Sequence, residues 1–357
     1  MNLRGLMTCF LVFLLLWGEV KVGFGQINGD GRNYITWNDL NVDDHKSPSR
    51  YVGYQNRVIV VDVNGGGDSV TVQGAVDMVP EYNAERVKIH VLPGVYREKV
   101  HVPANKPYIS FIGDQDQASA TVITWHDKAS DQAPTGGFIG TWRSASVTVE
   151  SDYFCASGIT FENTVVATGG GVDGYQAVAL RIAGEKAVFY KVRFLGSQDT
   201  LLDESGSHYF FRCLIQGSVD FIFGNARSLY QECAISVVGD GFAVAAQHRN
   251  SVGEDTGFSF VNCTVSGTGN VYLGRAWGIC SRVLYAYCEF DIDVRPEGWE
   301  DWRDPSRRNT VAFAEYECRG RGADRSRRAP WSRAWNCSEA GPFLDTTFIR
   351  GEQWLRL

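Results

Sequence analysis

Short runs of β-prone apolar residues recur along the middle of the chain, and each run ends at an apolar anchor. The intervals between successive anchors are irregular, from 20 to 33 residues, and no heptad or 3.6-residue stripe crosses this region. Irregular repeats of this length predict a solenoid of stacked parallel strands, a parallel β-helix. The anchors are Phe161, Phe194, Ile215, Ile235, Val265 and Phe290, and two positions before them stand Ile159, Val192, Cys213, Cys233, Cys263 and Cys288.

The N-terminal part of the repeat region has the pattern of a capped first coil. Apolar residues at helical spacing follow a glycine-rich entry between Ser69 and Val79, which predicts a short helix that covers the open end of the solenoid. The segment from Gly94 to Glu98 has the composition of a turn. Strands are predicted at 58–63, 87–92, 100–102 and 108–113, and β-rich runs continue over 121–182 with a glycine-rich loop at 167–174.

The two ends of the chain differ from the repeats. Residues 1–25 carry Arg4, a short apolar run and small residues before Gln26, which predicts a secretory signal peptide and an extracellular protein. Residues 26–57 are polar, and we expect an irregular lead-in. After Phe290 the repeat pattern gives way to an Arg-, Trp- and Gly-rich tail. Because no linker precedes this tail, we expect one domain over residues 58–357, all-β, with the tail packed along its side.

Composition excludes several classes of function. The chain has 34 Lys and Arg against 41 Asp and Glu, for a formal net charge of −7. An acidic chain without a later membrane span argues against nucleic acid or a membrane as partner, and any anionic ligand must be held by local groups. The cysteines have no zinc-type spacing, so we expect no metal and no cofactor. The four cysteines that stand two positions before the anchors fit free thiols and disulfides equally well.

Two sequons are permitted glycosylation sites in a secreted chain. They are Asn262-Cys263-Thr264 and Asn336-Cys337-Ser338. We expect Asn336 to be the better acceptor, because Asn262 falls within a predicted strand.

The candidate chemistry starts from two aspartates with the same local setting. Asp199 and Asp220 each stand five residues after an anchor, Phe194 and Ile215. If one coil separates them, their side chains occupy equivalent points of neighbouring strands, which are roughly 4.8 Å apart. Two carboxylates that close cannot both ionise comfortably, so we expect one pKa to rise while the other stays low. Such a pair suits acid and base catalysis, including that of retaining glycosidases.

The neighbouring residues favour acyl chemistry over glycoside hydrolysis. Gln198 precedes Asp199, and Gln176 lies about one coil earlier, so two neutral amide donors are expected beside the acids, as an oxyanion hole requires. Arg275 supplies a cation that keeps one Asp ionised, and Trp277 offers a flat face for a sugar ring. The alternative is that all of these residues have structural roles only: the acids as turn residues, the glutamines as an amide ladder and Arg275 as an ordinary ion-pair partner.

Together these residues give the chain a resemblance to the plant pectin methylesterases. Five motifs stand in the family's order: GxYxE at residues 94–98, QAVAL at 176–180, QDTL at 198–201, DFIFG at 220–224 and LGRxW at 273–277. The resemblance covers the chain from about Val58 to the C-terminus, and it is to the short forms without an inhibitor-like pro-region.

The resemblance implies a fold and a mechanism. The expected fold is a right-handed parallel β-helix, and the expected activity is hydrolysis of methyl esters of homogalacturonan in the cell wall. Asp220 would be the nucleophile, Asp199 the acid and base, Gln176 and Gln198 the oxyanion donors, and Arg275 the group that positions Asp220. The expected partners are pectin and a pectin methylesterase inhibitor protein, and we expect a monomer.

Two positions depart from the family pattern. Ala276 replaces the usual proline of LGRPW, which we expect to loosen the backbone between Arg275 and Trp277. His248 stands where related sequences often have Gly, and a lone His is more often structural than functional. The alternative functions are a catalytically silent pectin-binding wall protein and a β-helix polygalacturonase or pectate lyase.

Overall fold

The structure is a computed structural model that describes residues 34–42, 57–167 and 171–357. Its α-helical segments are α1 (Val72–Asp77), α2 (Gly140–Arg143) and α3 (Cys337–Ala340), and short 3-10 turns lie at Trp37–Leu40, Pro305–Asn309, Arg321–Ala323, Gly341–Phe343 and Gly351–Gln353. The strands are β1 (Ile35–Thr36), β2 (Arg57–Val61), β3 (Val87–Val91), β4 (Gly94–Arg97), β5 (Val100–Val102), β6 (Ile109–Ile112), β7 (Thr121–Trp125), β8 (Val147–Val149), β9 (Cys155–Ser157), β10 (Thr160–Asn163), β11 (Leu180–Ile182), β12 (Ala187–Tyr190), β13 (Arg193–Leu195), β14 (Leu201–Asp203), β15 (Ser207–Phe211), β16 (Leu214–Gly217), β17 (Ile222–Gly224), β18 (Arg227–Gln231), β19 (Ala234–Val237), β20 (Ala243–Gln247), β21 (Gly257–Val261), β22 (Thr264–Arg275), β23 (Arg282–Ala286), β24 (Glu289–Val294), β25 (Trp299–Glu300), β26 (Ala312–Tyr316), β27 (Arg333–Ala334) and β28 (Leu355–Arg356).

The strands form three walls around one core. The first wall runs β2-β3-β6-β9-β12-β15-β18-β21-β23-β26-β27. The second contains β4, β7, β10, β13, β16, β19 and the start of β22, and the third contains β5, β8, β11, β14, β17, β20 and the end of β22. Neighbouring strands are parallel, and each coil of the chain adds one strand to each wall. The predicted parallel β-helix is confirmed.

The anchor positions pair with one another in register. Phe161 pairs with Phe194, Phe194 with Ile215, and the column continues through Ile235, Val265 and Phe290. All are fully buried. The uneven sequence intervals therefore lie in the turns between strands, because stacked strands must keep their register while loops lengthen at little cost.

An aromatic stack holds successive coils together in the core. Ring centroids are 4.7 Å apart for Phe189 and Phe210, 4.5 Å for Phe210 and Tyr230, 4.6 Å for Tyr230 and Phe260, and 4.5 Å for Phe260 and Tyr285. The rings are nearly parallel. Each such contact contributes about 0.5–1.5 kcal/mol beyond its area burial. The stack therefore stabilises the register of the strands in the first wall. Because each coil adds one strand to each wall, this register also aligns the turns of successive coils.

The cysteine column consists of free thiols. Each Sγ donates to a carbonyl of the preceding coil, as Cys213 does to Phe189 at 3.3 Å. Disulfides are absent from this column, so the thiols act as small apolar residues with a weak donor. The free cysteines of the column are Cys213, Cys233, Cys263, Cys288 and Cys318.

The predicted capping helix is present as α1. Its residues Val72, Ala75 and Val76 are buried, and its first N–H groups donate to Glu98, from Val72 at 2.7 Å and from Gln73 at 2.9 Å. A carboxylate suits this end of a helix because it satisfies orphan N–H groups. The GxYxE motif is thus structural at Glu98. The expected turn at 94–98 is wrong, since residues 94–97 form β4 and pair with β7.

Both ends of the chain are more regular than expected. The lead-in is not wholly irregular, since Ile35 and Leu40 are buried and β1 pairs with β28. The repeat also does not end at Phe290. One further coil follows through β25 and β26, and a loop between them conceals it in the sequence.

The last segment packs on the outer face of the first wall, as expected for the tail. Phe348, Ile349 and Trp354 bury themselves there against Val188 and Leu229. The predicted signal peptide, most of the lead-in and residues 168–170 of the glycine-rich loop lie outside the described residues. Within the described ranges, no helix has the length and apolar character needed to cross a bilayer.

The two sequons differ from expectation. Asn262 is not in a strand but in an exposed bend between β21 and β22, with a left-handed φ of 53°. A glycan therefore has room at this position. Asn336 is exposed as well, but its side-chain oxygen caps α3 by accepting from the N–H groups of Ser338 and Glu339. The preference for Asn336 rested on the wrong placement of Asn262, and glycosylation at either position stays a prediction.

Candidate active site

The two aspartates lie side by side at the turn from the second wall to the third. Asp199 stands between β13 and β14, and Asp220 between β16 and β17. Leu201 pairs with Ile222 two residues further on, so the acids occupy equivalent points of neighbouring coils. Both residues are nearly buried, with exposed fractions of 9% for Asp199 and 6% for Asp220.

The backbone at both acids adopts the left-handed conformation. The φ angles are 64° at Asp199 and 48° at Asp220. Asp and Asn tolerate this region better than most residues, because their short polar side chains make local hydrogen bonds. Gly217 makes the turn before Asp220 possible, since a Cβ at that position would lie 2.2 Å from the Cβ of Phe221. The recurring Gly-Ser-x-Asp sequence of both turns thus follows from their shared backbone path.

Arg275 engages Asp220 directly. Its Nε donates to Oδ1 at 2.7 Å and to Oδ2 at 2.9 Å, and its Nη2 also binds Oδ2. The guanidinium lies over the ring of Trp302, 3.9 Å from its centroid, and 5.3 Å from that of Phe242. Aromatic faces on a guanidinium hold its plane and exclude water from it. Asp220 is therefore held in one orientation by a fork of donors.

The environment separates the two acids. Burial, and then the charge of Asp220, raise the pKa of Asp199 well above its usual value, while Arg275 opposes them. Burial also raises the pKa of Asp220, but Arg275 lowers it through its charge and its hydrogen bonds. The expectation that one pKa stays low is therefore wrong, because burial outweighs Arg275. The order is the expected one: Asp199 is the acid that keeps its proton longer.

The two glutamines stand on neighbouring coils, Gln198 directly before Asp199 and Gln176 on the coil before it. Gln198 is nearly buried, and its Oε1 accepts from the N–H of Val172 at 3.0 Å. Gln176 lies one coil earlier, where the N–H of Ala177 donates to the carbonyl of Gln198. The Oε1 of Gln176 is buried and lacks a hydrogen-bond partner among the described residues. Since rotation exchanges the two ends of an amide, this position can present either a donor or an acceptor to a ligand.

Trp277 lies in an aromatic surface on the outside of the third wall. Its ring centroid is 4.0 Å from that of His248, 6.0 Å from Phe223 and 6.5 Å from Trp142. His248 is half-buried, and burial lowers its pKa. The imidazole ring of His248, tilted by 36° to the indole of Trp277, extends this aromatic surface. Sequence reasoning gave His248 a mainly structural role, and the structure places it beside Trp277.

Ala276 does not loosen the backbone as expected. Its N–H donates to the carbonyl of Glu300 at 2.9 Å, a coil-to-coil bond that proline has no hydrogen to make. The carbonyls of Ala276 and Trp277 both accept from Nη1 of Arg307, the latter at 2.6 Å. Arg307 is itself paired with Asp304. Alanine therefore lacks the stiffness of proline but adds one hydrogen bond, from its N–H to Glu300.

Ala276→Pro is expected to lower stability by about 0.5–1.5 kcal/mol, because it removes the hydrogen bond to Glu300. Proline stabilises only where the N–H it replaces is free. The measurement is the urea midpoint of the variant against the wild type, with Ala276→Gly as the control that keeps the N–H. A higher midpoint for Ala276→Pro would mean that this bond contributes nothing.

Sequence reasoning missed three residues that shape the site. Trp302 and Phe242 stack on Arg275, and Arg307 holds the peptide groups before and after Trp277. All three belong to turns of variable length, so no fixed spacing links them to the acids. For Trp302 and Arg307 the only signal was the cluster of Trp and Arg in the segment taken for an unpatterned tail, and Phe242 carried no signal.

The site combines a buried pair of aspartates, an arginine that is hydrogen-bonded to one of them, two glutamine side chains and an aromatic surface. Within the described ranges, no three or more His, Cys, Asp or Glu side chains are grouped to hold a metal ion. A nucleophilic carboxylate needs an ionised oxygen, a proton donor for the leaving group and donors for a developing oxyanion. These groups can supply each of them.

Comparisons with known proteins agree with this class of site. The family model described as Pectinesterase matches residues 58–352. The chain is 56% identical to Pectinesterase QRT1 of Arabidopsis thaliana over 99% of this chain and 97% of that protein, and 43% identical to Probable pectinesterase 8 of the same plant over 84% and 76%. Pectin methylesterase from carrot matches with a TM-score of 0.76 and 34% identity, over 86% of this chain and 96% of that chain.

These matches identify an enzyme of the carboxylic ester hydrolase class with a right-handed parallel β-helix. The chain belongs to the pectinesterase family, and to its plant members by similarity.

Proposed function

We propose that this protein hydrolyses the C6 methyl esters of homogalacturonan, with Asp220 as nucleophile and Asp199 as acid and base. The observation that carries the proposal is the unequal acid pair: Arg275 orients Asp220, while Asp199 lies beside it and forms no ion pair with the described residues. A nucleophile must be ionised and a general acid must be protonated, so one pair of identical residues can perform both roles only if their surroundings differ.

The reaction has two balanced steps. A carboxylate oxygen of Asp220 attacks the ester carbonyl, and methoxide leaves with the proton of Asp199, which gives methanol and a uronyl anhydride on Asp220. Water then attacks the uronyl carbonyl of the anhydride and gives one proton back to Asp199, which restores Asp220 and frees the uronic acid. The carboxyl proton of this acid is released to solvent, which leaves the uronate. Each step passes through an oxyanion, which the amides of Gln176 and Gln198 stabilise without a change of charge.

The substrate and setting follow from the aromatic surface and the family. Trp277 and His248, which are partly exposed, offer rings on which uronosyl residues stack. We infer secretion to the cell wall after removal of residues 1–25, and action on pectin as a monomer. A pectin methylesterase inhibitor protein is a candidate ligand of the same cleft.

The alternatives predict different products. A polygalacturonase yields new reducing ends, a pectate lyase yields unsaturated ends and needs calcium, and a silent wall protein binds pectin without product. We expect methanol from methylated homogalacturonan at the same rate with and without a chelator. Chain ends in place of methanol, or loss of the activity on chelation, would support the other enzymes. Binding without methanol from about pH 4 to 9 would support the silent protein.

The pH profile is expected to be a bell whose two limbs belong to the coupled acid pair. The acid limb should lie above the ordinary Asp value of about 3.9, because burial raises the pKa of Asp220 and activity is lost as Asp220 takes up a proton. The alkaline limb should follow the loss of the proton from Asp199. The measurement is kcat/KM against pH.

Arg275→Lys serves as the internal control for the profile. A lysine cannot reproduce the guanidinium fork, so Asp220 should bind its proton more tightly and the acid limb should move to higher pH. If the acid limb is the same in wild type and Arg275→Lys, the group that titrates in that limb is not Asp220.

A further inference from the structure

Three arginines converge on one carboxylate at the turn from the third wall to the first. Arg227 binds the side chain of Asp255 and donates to its main-chain carbonyl at 2.6 Å. Arg350 reaches the same carboxylate at 3.3 Å and Arg282 at 3.7 Å. The first wall supplies Arg227 and Arg282 from the starts of β18 and β23, and the C-terminal segment supplies Arg350. We call Arg227, Arg282, Arg350 and Asp255 the arginine cluster.

Positive charge is in excess at the arginine cluster. Three guanidinium groups face one carboxylate, and at the rim Lys186 and Glu185 offset each other. Burial, and then the charges of Arg350 and Arg282, lower the pKa of Arg227. Like charges held together in this way are relieved by an anion that binds among them. The excess is unusual in a chain whose formal net charge is −7.

A further arginine adds to the charge behind the cluster. Arg249 is buried, and its guanidinium donates to the carbonyls of Glu254, Cys280 and Val252 rather than to a carboxylate. Burial, and then Arg249, lower the pKa of Arg282 to about 10. The carboxylate of Glu254, which precedes Asp255, accepts from Asn225 at 2.8 Å.

Arg227, Arg350 and Asp255 of the arginine cluster line an open pocket of about 260 Å³, and Arg282 lies behind its wall, within reach of Asp255 at 3.7 Å. Its lining includes Lys186, Arg227, Asp255, Arg350 and Gln353. The volume lies just below the range of about 300–1,000 Å³ typical of sites for drug-sized ligands. It therefore suits one charged sugar unit of a chain that continues into solvent.

The pocket is distinct from the acid pair but close enough to serve the same polymer. Arg227 follows Asp220 by seven residues on the same coil. Seven residues span at most about 25 Å. The product of the proposed reaction carries carboxylates, while the acidic protein gives a polyanion no long-range attraction. A polymer that gains negative charge as it is processed needs a local cationic site to stay bound.

We propose that the arginine cluster binds a carboxylate of de-esterified homogalacturonan, as a site for the product polymer separate from the catalytic acids. The ligand's identity rests on the proposed function. Guanidinium forks bind carboxylates through paired hydrogen bonds, and exchange of the Asp255 partner for a uronate leaves Arg227 and Arg350 satisfied. The site retains the enzyme on regions that already carry free carboxylates.

Arg350→Gln is the test variant, and Arg212→Gln is its matched control. Both arginines have a left-handed φ, 52° and 55°, and both are largely exposed, at 59% and 51% of their side chains. Each is paired with an acid, Arg350 with Asp255 and Arg212 with Glu232, but only Arg350 belongs to the arginine cluster. A difference between the variants therefore reports the cluster and not the loss of a surface charge.

Two substrates separate the pocket from the catalytic site. On partly de-esterified pectin, Arg350→Gln should raise KM by about 5-fold with kcat unchanged, which corresponds to about 1 kcal/mol. On fully methylated short oligomers, which carry no carboxylate, both constants should equal those of the wild type. Asp255→Asn should lower KM on the first substrate, because it removes the competing carboxylate. Added salt should reduce all of these differences.

Three kinetic results would overturn the proposal. They are equal KM values for Arg350→Gln and Arg212→Gln on partly de-esterified pectin, an equal rise on both substrates, or a higher KM for Asp255→Asn. Co-sedimentation with fully de-esterified pectin gives a readout without turnover, and Arg350→Gln should be retained less than Arg212→Gln at low salt. Inorganic phosphate should compete with pectin for the pocket and release the wild type from the pectin pellet. If phosphate binds but Arg350→Gln is retained as well as Arg212→Gln, the proposal is also overturned. Failure of the wild type to release methanol from either substrate would instead reject the proposed function.

Discussion

Asp220→Asn is expected to abolish methanol release, by at least about 10³-fold in kcat. The amide keeps the shape of the carboxylate and accepts the left-handed backbone at this position, whose φ is 48°. It has no anionic oxygen to attack the ester, however, and it turns an ion pair with Arg275 into a neutral hydrogen bond. Binding should change little, since Trp277 and the outer face of the third wall remain.

The measurement is kcat and the dissociation constant for methylated oligomers, side by side. Asp240→Asn is the control, because Asp240 is an exposed acid that we assign no catalytic role. Its rate should equal that of the wild type. Near-normal methanol release by Asp220→Asn would show that the attack on the ester does not come from Asp220.

Asp199→Asn is expected to be inactive and yet more stable than the wild type at neutral pH. Asp199 is buried beside another acid, so its pKa in the folded state lies well above the unfolded value. Its ionisation therefore costs stability. That cost is absent below the unfolded pKa of about 3.9 and grows as pH rises through the folded pKa. The advantage in Tm of the variant should thus be larger at pH 7 than at pH 4.

Asp203→Asn provides a control of opposite sign. Asp203 is also buried, but it accepts from His208 at 2.5 Å and from the Tyr230 hydroxyl at 2.6 Å. Removal of its charge breaks a satisfied network, so this variant should lose stability. If Asp199→Asn lost stability like Asp203→Asn, the acid at position 199 would be a structural group and not one held under strain for catalysis.

The repeat and the acid pair were predictable from sequence for one physical reason. A stacked coil must keep its strands in register, so the anchors recur at positions that pair in the structure, from Phe161 to Phe290. Asp199 and Asp220 are tied to these anchors by short, equal offsets, and their adjacency followed. The sequence could not show that the cysteines of the column are free thiols, because free thiols and disulfides would both place cysteine at the same positions.

The parts that sequence reasoning missed depend on loops of variable length. Trp302 and Arg307 approach the site from the segment after β25, which has no fixed spacing to Arg275. The last coil escaped notice for the same reason. The pKa of Asp220 also depended on a quantity that the sequence does not contain, the depth of burial set against the geometry of Arg275. Its direction emerged only from the folded surroundings.

Whether Asp220 forms a covalent intermediate is the central question, and loss of activity in Asp220→Asn does not separate attack by Asp220 from attack by water that Asp220 activates. The two mechanisms are separated by measuring how the intermediate partitions between water and added hydroxylamine. Methyl and ethyl esters of the same oligomer would give the same uronyl anhydride on Asp220, so the account predicts the same ratio of hydroxamate to carboxylate from both esters. A ratio that changes with the leaving alcohol would contradict it, because the added nucleophile would then meet the ester itself.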